Sequence, residues 1–424
     1  MESIVFISDL HLSIGGNHNI ERFHAGRELE ALLQVPELTP KDPDRARLVL
    51  LGDSFDIWRT ALDDAEYAAA DTSDIPVDFT AASEINRLDR ISQGHPSVFQ
   101  ALAKFVSRPN CALIVMPGNH DHSLVDGDVQ KHVRSLLGDR DNRIEFCFHY
   151  DAPDFALYAI HGNQGDDNNR YQAFNCFSWQ TECAGYYFVR LFLNRLETLE
   201  PDLDDSPGGW RSVWHYLRNA LKPSLFAAAI KFWVQYRRDK RVSALVSLGE
   251  DVAVDGPDLL VTGESQNGNI FSNIPEVEQA FRLEYNQHSE VQKIVDELRH
   301  GSEPIPPPEL TRMGVENGLA RTGRNPASMV SLGDQEELDY VEQTFRTIRE
   351  RENSVPYRYL LMGHTHKRLE RQVNGSDWYF NTGTWSGNIR GRTLTVAVAQ
   401  RDNGGARTAL GKFENQRLEL GEWR

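Results

Sequence analysis

What is scarce narrows the reading first. The chain has 424 residues but only four cysteines, Cys111, Cys147, Cys176 and Cys183, and none of them forms a CxxC spacing. That density excludes a disulfide-stapled secreted scaffold. The thiols are expected to be reduced, in the core or incidental, with a Cys176–Cys183 metal or redox pair as the alternative. No window approaches 18 uninterrupted apolar residues, so no membrane-spanning helix is expected. The first residues run straight into a strand, without a basic n-region, an apolar h-region or a cleavage site, which predicts no signal peptide and a cytoplasmic protein. Positive charge is short as well: 45 Lys and Arg against 62 Asp and Glu leave a net charge of −17. Binding to long duplex nucleic acid is therefore not expected, although a local basic groove is compatible with this balance. Internal repeats and low-complexity tracts are missing too.

What is present is the composition of a globular protein, 40% hydrophobic and 25% charged. Its length suggests two domains, or one domain with a large insertion. Short apolar runs, "SIVFIS" (3–8), "RLVLLG" (47–52), "ALIVMPG" (112–118), "RIEFCF" (143–148) and "FALYAI" (155–160), alternate with helix-like stretches at 21–35 and roughly 81–107. Such runs fit strands buried on both faces, and the alternation predicts an α/β layered fold. From 163 to 333 aromatic residues at helical spacing dominate, and "SEPIPPPEL" (302–310) reads as an extended connector. A helical stretch at 334–351 leads back to strands at 357–363, 368–373, 377–385 and 392–400, where alternation and short turns suggest antiparallel pairing. The expected division is a catalytic domain of 1–162 plus 334–424 and a mainly helical insertion of 163–333.

The informative positions follow the apolar runs. Asp9 and His11 follow the first and Asp53 the second, in "GDSFD" with Asp56 three residues on. Asn119, His120 and Asp121 follow the third, in "GNHD". His161 follows "FALYAI", and His364 and His366 follow "YRYLLMG". Taken alone, Asp-x-His and GDxxD read first as a helix cap or a turn, GNHD as a tight turn and His-Gly as a strand exit, while His-x-His sets both rings on one face, where a metal is as good a reading as none. Together they place a metal-ligating residue type at five strand ends, where loops of α/β sheets converge on binding sites. Residues two apart on an extended chain point the same way. Asp9 and His11 are therefore expected to share a face, with Leu10 and Leu12 turned to the core. Two metals with four protein ligands each and one shared carboxylate need seven residues. Asp9, His11, Asp53, Asn119, His161, His364 and His366 supply that number, all with oxygen or nitrogen donors. Such a set suits Mn²⁺ first, with Fe or Zn²⁺ as alternatives.

These blocks, DxH, GDxxD, GNHD, His-Gly and GHTH in that order, resemble the calcineurin-like metallophosphoesterase superfamily over about 250 residues. The resemblance implies a mixed-sheet β-sandwich flanked by helices. It implies that Asp9, His11, Asp53 and His366 hold one divalent metal, while Asp53, Asn119, His161 and His364 hold the other. It further implies a phosphoesterase in which a hydroxide between two ions about 3.5–4 Å apart attacks phosphorus in line. His120 would be the general acid or transition-state stabiliser and Asp121 its orienting carboxylate. Asp56 would lie outside the ligand set, holding a metal-bound histidine or the loop.

"ISDLHL" with "GDSFDIW" is most similar to the branch of UDP-2,3-diacylglucosamine pyrophosphohydrolases. This chain departs from them in its length, in "GNHDHSL" where many have an Arg for the first His of that block, and in "HGNQGDDNNRYQAF". That last stretch resembles a variant of larger bacterial metallophosphoesterases. Its Asn163, Gln164, Asp166 and Asn169 either read a sugar or base of the substrate or fold their own loop. The expected substrate is a phosphodiester or pyrophosphate in a nucleotide or nucleotide-lipid. A nuclease for short or single-stranded nucleic acid and a non-catalytic metal-binding scaffold are the alternatives. "FAAAIKFWVQYRRDKR" (226–241) either packs on its own domain or provides peripheral contact with an anionic membrane. Oligomeric state is not legible.

Overall fold

The computed structural model describes residues 1–16, 21–61, 80–166, 169–171, 177, 183, 185–186, 189, 334–351, 357–387 and 394–424. Most of 163–333, including 226–241, 302–310 and Cys176, lies outside the described residues.

Two mixed sheets carry the fold. The first has seven strands in the order β12-β11-β10-β1-β2-β3-β4. They are β1 (Glu2–Ile7), β2 (Arg45–Leu51), β3 (Cys111–Met116), β4 (Ile144–Phe146), β10 (Leu394–Asp402), β11 (Gly405–Glu414) and β12 (Arg417–Leu420). β1 to β4 run parallel, while β10 lies antiparallel to β1 with Val5 opposite Val398. The second sheet has the order β5-β6-β7-β9-β8. Its strands are β5 (His149–Ala152), β6 (Leu157–Ile160), β7 (Tyr359–Met362), β8 (Arg368–Gln372) and β9 (Trp378–Thr382).

Strict alternation along β1 divides the core. Ile4 and Phe6 meet Val49, Ile114, Leu157, Ala159, Tyr359 and Phe380, which places the second sheet against this face. Val5 and Ile7 turn the other way, towards α1 (Gly26–Leu32), α2 (Ala81–Gly94), α3 (Pro96–Ser107) and α4 (Gly127–Leu136). The far face of the second sheet, with Tyr158, Leu360 and Met362, is covered by Val341, Phe345 and Ile348 of α5 (Asp334–Arg351). The result is helices, sheet, sheet, helix. Each fully buried aliphatic or Phe side chain contributes about 1.5–3 kcal/mol. This explains why the strands read as unbroken apolar runs.

Four expectations change in detail. The helix expected over 81–107 is two helices: His95 takes φ −127° and ψ 51° ahead of Pro96, because a residue before proline is driven out of the helical region. Of 21–35, only Gly26–Leu32 is α-helical, since Glu21 spends its carboxylate on the Gly15 and Phe23 amides (2.6 and 2.7 Å) and holds the entry segment in a loop. "FALYAI" begins as a 3₁₀ turn at Pro153–Phe155, and left-handed Ala156 (φ 50°) starts the strand at Leu157. The strand at 357–363 was expected to pair antiparallel, but β7 runs parallel to both β6 and β9; only β8 is antiparallel to β9. Cys111 and Cys147 are thiols whose burial raises their pKa, Cys147 to about 12, and Cys183 is buried. Among the described residues no helix is long and apolar enough to cross a membrane.

Candidate metal centre

β1, β2 and β3 of one sheet and β6 and β7 of the other end along the same edge, and the seven expected ligands meet there. Asp9, His11 and His366 form one group with ligand atoms within 4.8 Å of one another, and Asp53, His161 and His364 form a second. Asp53 links them: its Oδ2 stands 3.3 Å from His161 Nε2 and 3.8 Å from His11 Nε2. His366 Nε2 lies 3.4 Å from Asp9 Oδ1 and 3.1 Å from His11 Nε2. Asn119 Oδ1 is 3.3 Å from His161 Nε2, whose other nitrogen donates to Leu51 O at 2.9 Å. That bond fixes the ring's orientation, with Nε2 facing the Asp53 carboxylate. Apart from His366, these residues are buried.

The way Asp9 and His11 converge differs from the expected extended geometry. Both are left-handed, at φ 53° and 52°, as are Asp53 (50°), His364 (69°) and His366 (57°). L-residues populate this region at a cost of about 1–2 kcal/mol each, and such strain concentrates at functional sites. Neighbouring loops hold the conformation. Asp9 N donates to Gly52 O, His11 N to Asp53 O and Leu12 N to Ser54 O, while Trp385 N returns to Asp9 O. Leu10 and Leu12 do turn into the helix-side core. Two glycines are set by close approach. A Cβ on Gly118 would stand 2.1 Å from Asp53 Oδ1, and one on Gly363 2.4 Å from Asp9 Oδ2.

Asp56 faces the expected ligand His11, as anticipated, but the carboxylate that orients His120 differs from expectation. Asp121 does not reach His120. Its Oδ1 accepts from Gly118 N at 2.6 Å and its Oδ2 from Ser54 N and Phe55 N at 2.8 and 3.2 Å, stapling the loop after β3 to the loop after β2. Asp56 holds His120 instead, with Oδ1 2.8 Å from Nδ1; its Oδ2 lies 3.3 Å from His11 Nδ1 and accepts from Arg59. The chain turns back at Asp56, where its amide bonds Leu12 O. This turn brings the later carboxylate of GDSFD, rather than the neighbouring one, under the ring. Trp58 stacks on His120 with centroids 4.2 Å apart, a contact missed from sequence although "GDSFDIW" displays the tryptophan.

The substrate-loop residues divide. Gln164 accepts from Tyr171 N and Asn163 donates to Asn169 O, so both fold their own loop. Asp166 Oδ2 stands 3.2 Å from His364 Nε2, and Asn169 bridges Asp166 to Asn119 at 2.8 and 3.4 Å.

Electrostatics follow from crowding. Burial disfavours a charged Asp53, yet His161, His120 and His11 outweigh it and hold the carboxyl well below its usual range. Asp9 is lowered too, with His366 overcoming burial. Burial opposes a charged His161, but Asp53 and Asp9 raise it to about 9, whereas burial dominates at His11 and lowers it. Burial, and then the charge of Asp53, lift Asp121 to about 7 against its amide donors. A divalent cation at either group would replace the proton as the partner of these carboxylates. The oxygen and nitrogen donors and the facing imidazole nitrogens fit such an ion. Searches with the chain find no matching protein-family model and no matching curated protein.

Proposed function

We propose that the protein is a binuclear metal-dependent phosphoesterase of the calcineurin-like type, hydrolysing a phosphodiester or pyrophosphate bond in a nucleotide or nucleotide-lipid. One observation carries the reading: two carboxylate–imidazole groups, buried apart from His366, that are joined through Asp53 and assembled from five strand ends. In this proposal Asp9, His11, Asp53 and His366 hold one cation, and Asp53, Asn119, His161 and His364 the other, with Mn²⁺ as the first choice. Bound divalent ions supply Lewis acidity towards phosphoryl oxygens and lower the pKa of a coordinated water.

The remaining residues have assignable work. His120 has Nδ1 committed to Asp56, so Nε2 is the atom from which it can hand a proton to the leaving oxygen. Trp58 fixes the plane of that ring. Asp121 keeps the Asp53 loop in register with Gly118. Asp166 and Asn169 present carboxylate and amide groups beside His364 and Asn119, where they border the substrate's non-reacting part.

Mn²⁺-supported hydrolysis of a chromogenic bis-phosphodiester tests the proposal, with Asp53→Ala expected to abolish both turnover and bound metal. Protein purified with Mn²⁺ present yet carrying none would refute it. A panel of nucleotide-sugar lipid, dinucleotide, cyclic nucleotide and single-stranded DNA at equal concentration separates the nucleotide-lipid reading from the nuclease.

A further inference from the structure

Behind the His364–His366 loop lies a carboxylate that the proposed chemistry does not use. Glu337 stands in the first turn of α5 and is 2% exposed. Its Oε1 accepts from the Tyr379 hydroxyl, from Asn381 Nδ2 at 2.9 Å and from Thr365 Oγ1 at 3.3 Å. Asn381 Nδ2 also reaches Gly363 O at 2.9 Å and Thr365 Oγ1 at 3.0 Å, while its Oδ1 accepts from Gly383 N at 2.9 Å. Gly363 and Thr365 are the residues on either side of His364, and Thr365 separates the two histidines. The three donors therefore converge on one carboxylate oxygen from the ligand loop and from β9. Burial, reinforced by the charge of Glu337, raises the Tyr379 phenol well above its usual range and keeps it a donor.

A buried carboxylate is expensive, and an apolar side chain of similar volume would fill the space at lower cost. α5 does not need Glu337 to dock. Val341, Phe345 and Ile348 already pack it on the second sheet, and Arg349 pairs with Asp377 at its other end. What Glu337 adds is a fixed acceptor behind the loop. We propose that Glu337 is a positioning residue, which through Thr365 and Asn381 sets the placement of His364 and His366 and makes it depend on the seating of α5. The inference rests on reading those histidines as metal ligands. A displacement of the first turn of α5 would act on the ligand loop through this side chain, beside the packing of Tyr340 and Val341 with Met362.

The test compares wild type, Glu337→Ala, Glu337→Gln and Tyr379→Phe in the full-length protein. Readouts are histidine side-chain NMR of the metal-free form, Mn²⁺ titration calorimetry, and kcat and KM for the chromogenic diester. Glu337→Ala is expected to shift the His364 and His366 resonances, to weaken both Mn²⁺ sites, which take one of these histidines each, by about 10-fold, the lower end for partners behind a ligand, and to lower kcat with KM little changed. Glu337→Gln keeps an oxygen for the same donors and is expected to restore all three. A folded Glu337→Ala protein with wild-type resonances and Mn²⁺ affinity overturns the proposal, as does a Gln variant that fails like the Ala variant. If Glu337→Ala does not fold, Tyr379→Phe must still shift the same resonances, or the proposal falls. Wild type that binds no Mn²⁺ refutes the metal reading alone, and the metal-free histidine spectra still decide the role of Glu337.

Discussion

Replacing Gly118 by alanine tests whether the glycine ahead of Asn119 exists to let Asp53 approach. The added Cβ would stand 2.1 Å from Asp53 Oδ1 and 2.4 Å from Asp53 N, where ordinary contact begins at 3.4 Å. Either the carboxylate or the backbone carrying it must retreat by roughly 1 Å, since packed interiors offer no free volume. The shift spreads, because the same Oδ1 accepts from His120 N at 2.8 Å and Gly118 N donates to Asp121. Overpacking of this kind costs about 1–3 kcal/mol. The stiffer unfolded chain returns about 0.4–1 kcal/mol, leaving a net loss of at most about 2.6 kcal/mol. The chemical consequence is larger, since misplacement by 1 Å costs about 10²-fold in rate. Thermal melting of the metal-free protein reads the first effect, and Mn²⁺-supported diester hydrolysis reads the second. Gly127→Ala is the matched control. It lies at the start of α4 with open space around the new carbon, and is expected to hold or raise stability with activity unchanged. A Gly118→Ala protein with wild-type rate and Mn²⁺ affinity would show that Asp53 tolerates displacement and would refute its proposed role as the shared ligand.

Three further outcomes follow from the same contacts. Asp56→Asn should lower kcat by about 10–10²-fold and change the pH profile, because it loosens His120; Asp121→Asn should act mainly on melting temperature, at about 1–3 kcal/mol for its lost amide acceptor. Equal kinetic defects in the two variants would return Asp121 to the ring-orienting role. Chelation should lower the melting temperature, with stabilisation of about 2.7 kcal/mol regained when Mn²⁺ reaches 100 times its dissociation constant. A melting curve indifferent to Mn²⁺ would contradict the paired sites. Arg349→Ala, which removes the partner of Asp377, should destabilise α5 while leaving the His364 and His366 resonances nearly in place; a large shift there would move the positioning role away from Glu337.

The strand ends were legible because each buried run stops at a residue that cannot be buried without a partner, and that change of character survives in one dimension. Leu10 and Leu12 do reach the core, although the extended alternation that placed them there does not hold at the left-handed Asp9 and His11. The route to convergence was not legible: a φ of about 50° at Asp9 is imposed by the amide of Asp9 on Gly52 O and by Trp385, which lies far away in sequence. Which carboxylate orients His120 depends on a turn at Asp56 closed by Leu12 O, a contact between loops of separate strands. The Gly94-His95-Pro96 break was visible in principle, since proline restricts its predecessor. Parallel pairing of β7 was not, because alternation is identical in either direction. Glu337 sits in a helix whose sequence reads as a solvated charged face, and only docking shows that this one carboxylate points inward.

The place of β1 in its sheet has a consequence for the order in which the protein is made. One edge of β1 pairs with β2, which leaves the ribosome early. The other edge pairs with β10, beginning at Leu394. Throughout most of synthesis the central strand therefore presents an open, apolar edge, the kind that recruits other chains. His364 and His366 arrive nearly as late. An incomplete chain carries Asp9, His11, Asp53, Asn119 and His161 but not the two histidines that complete both groups. If the proposed ions bind, both groups become complete only after His364 and His366 have emerged, close to the closing of the sheet by β10.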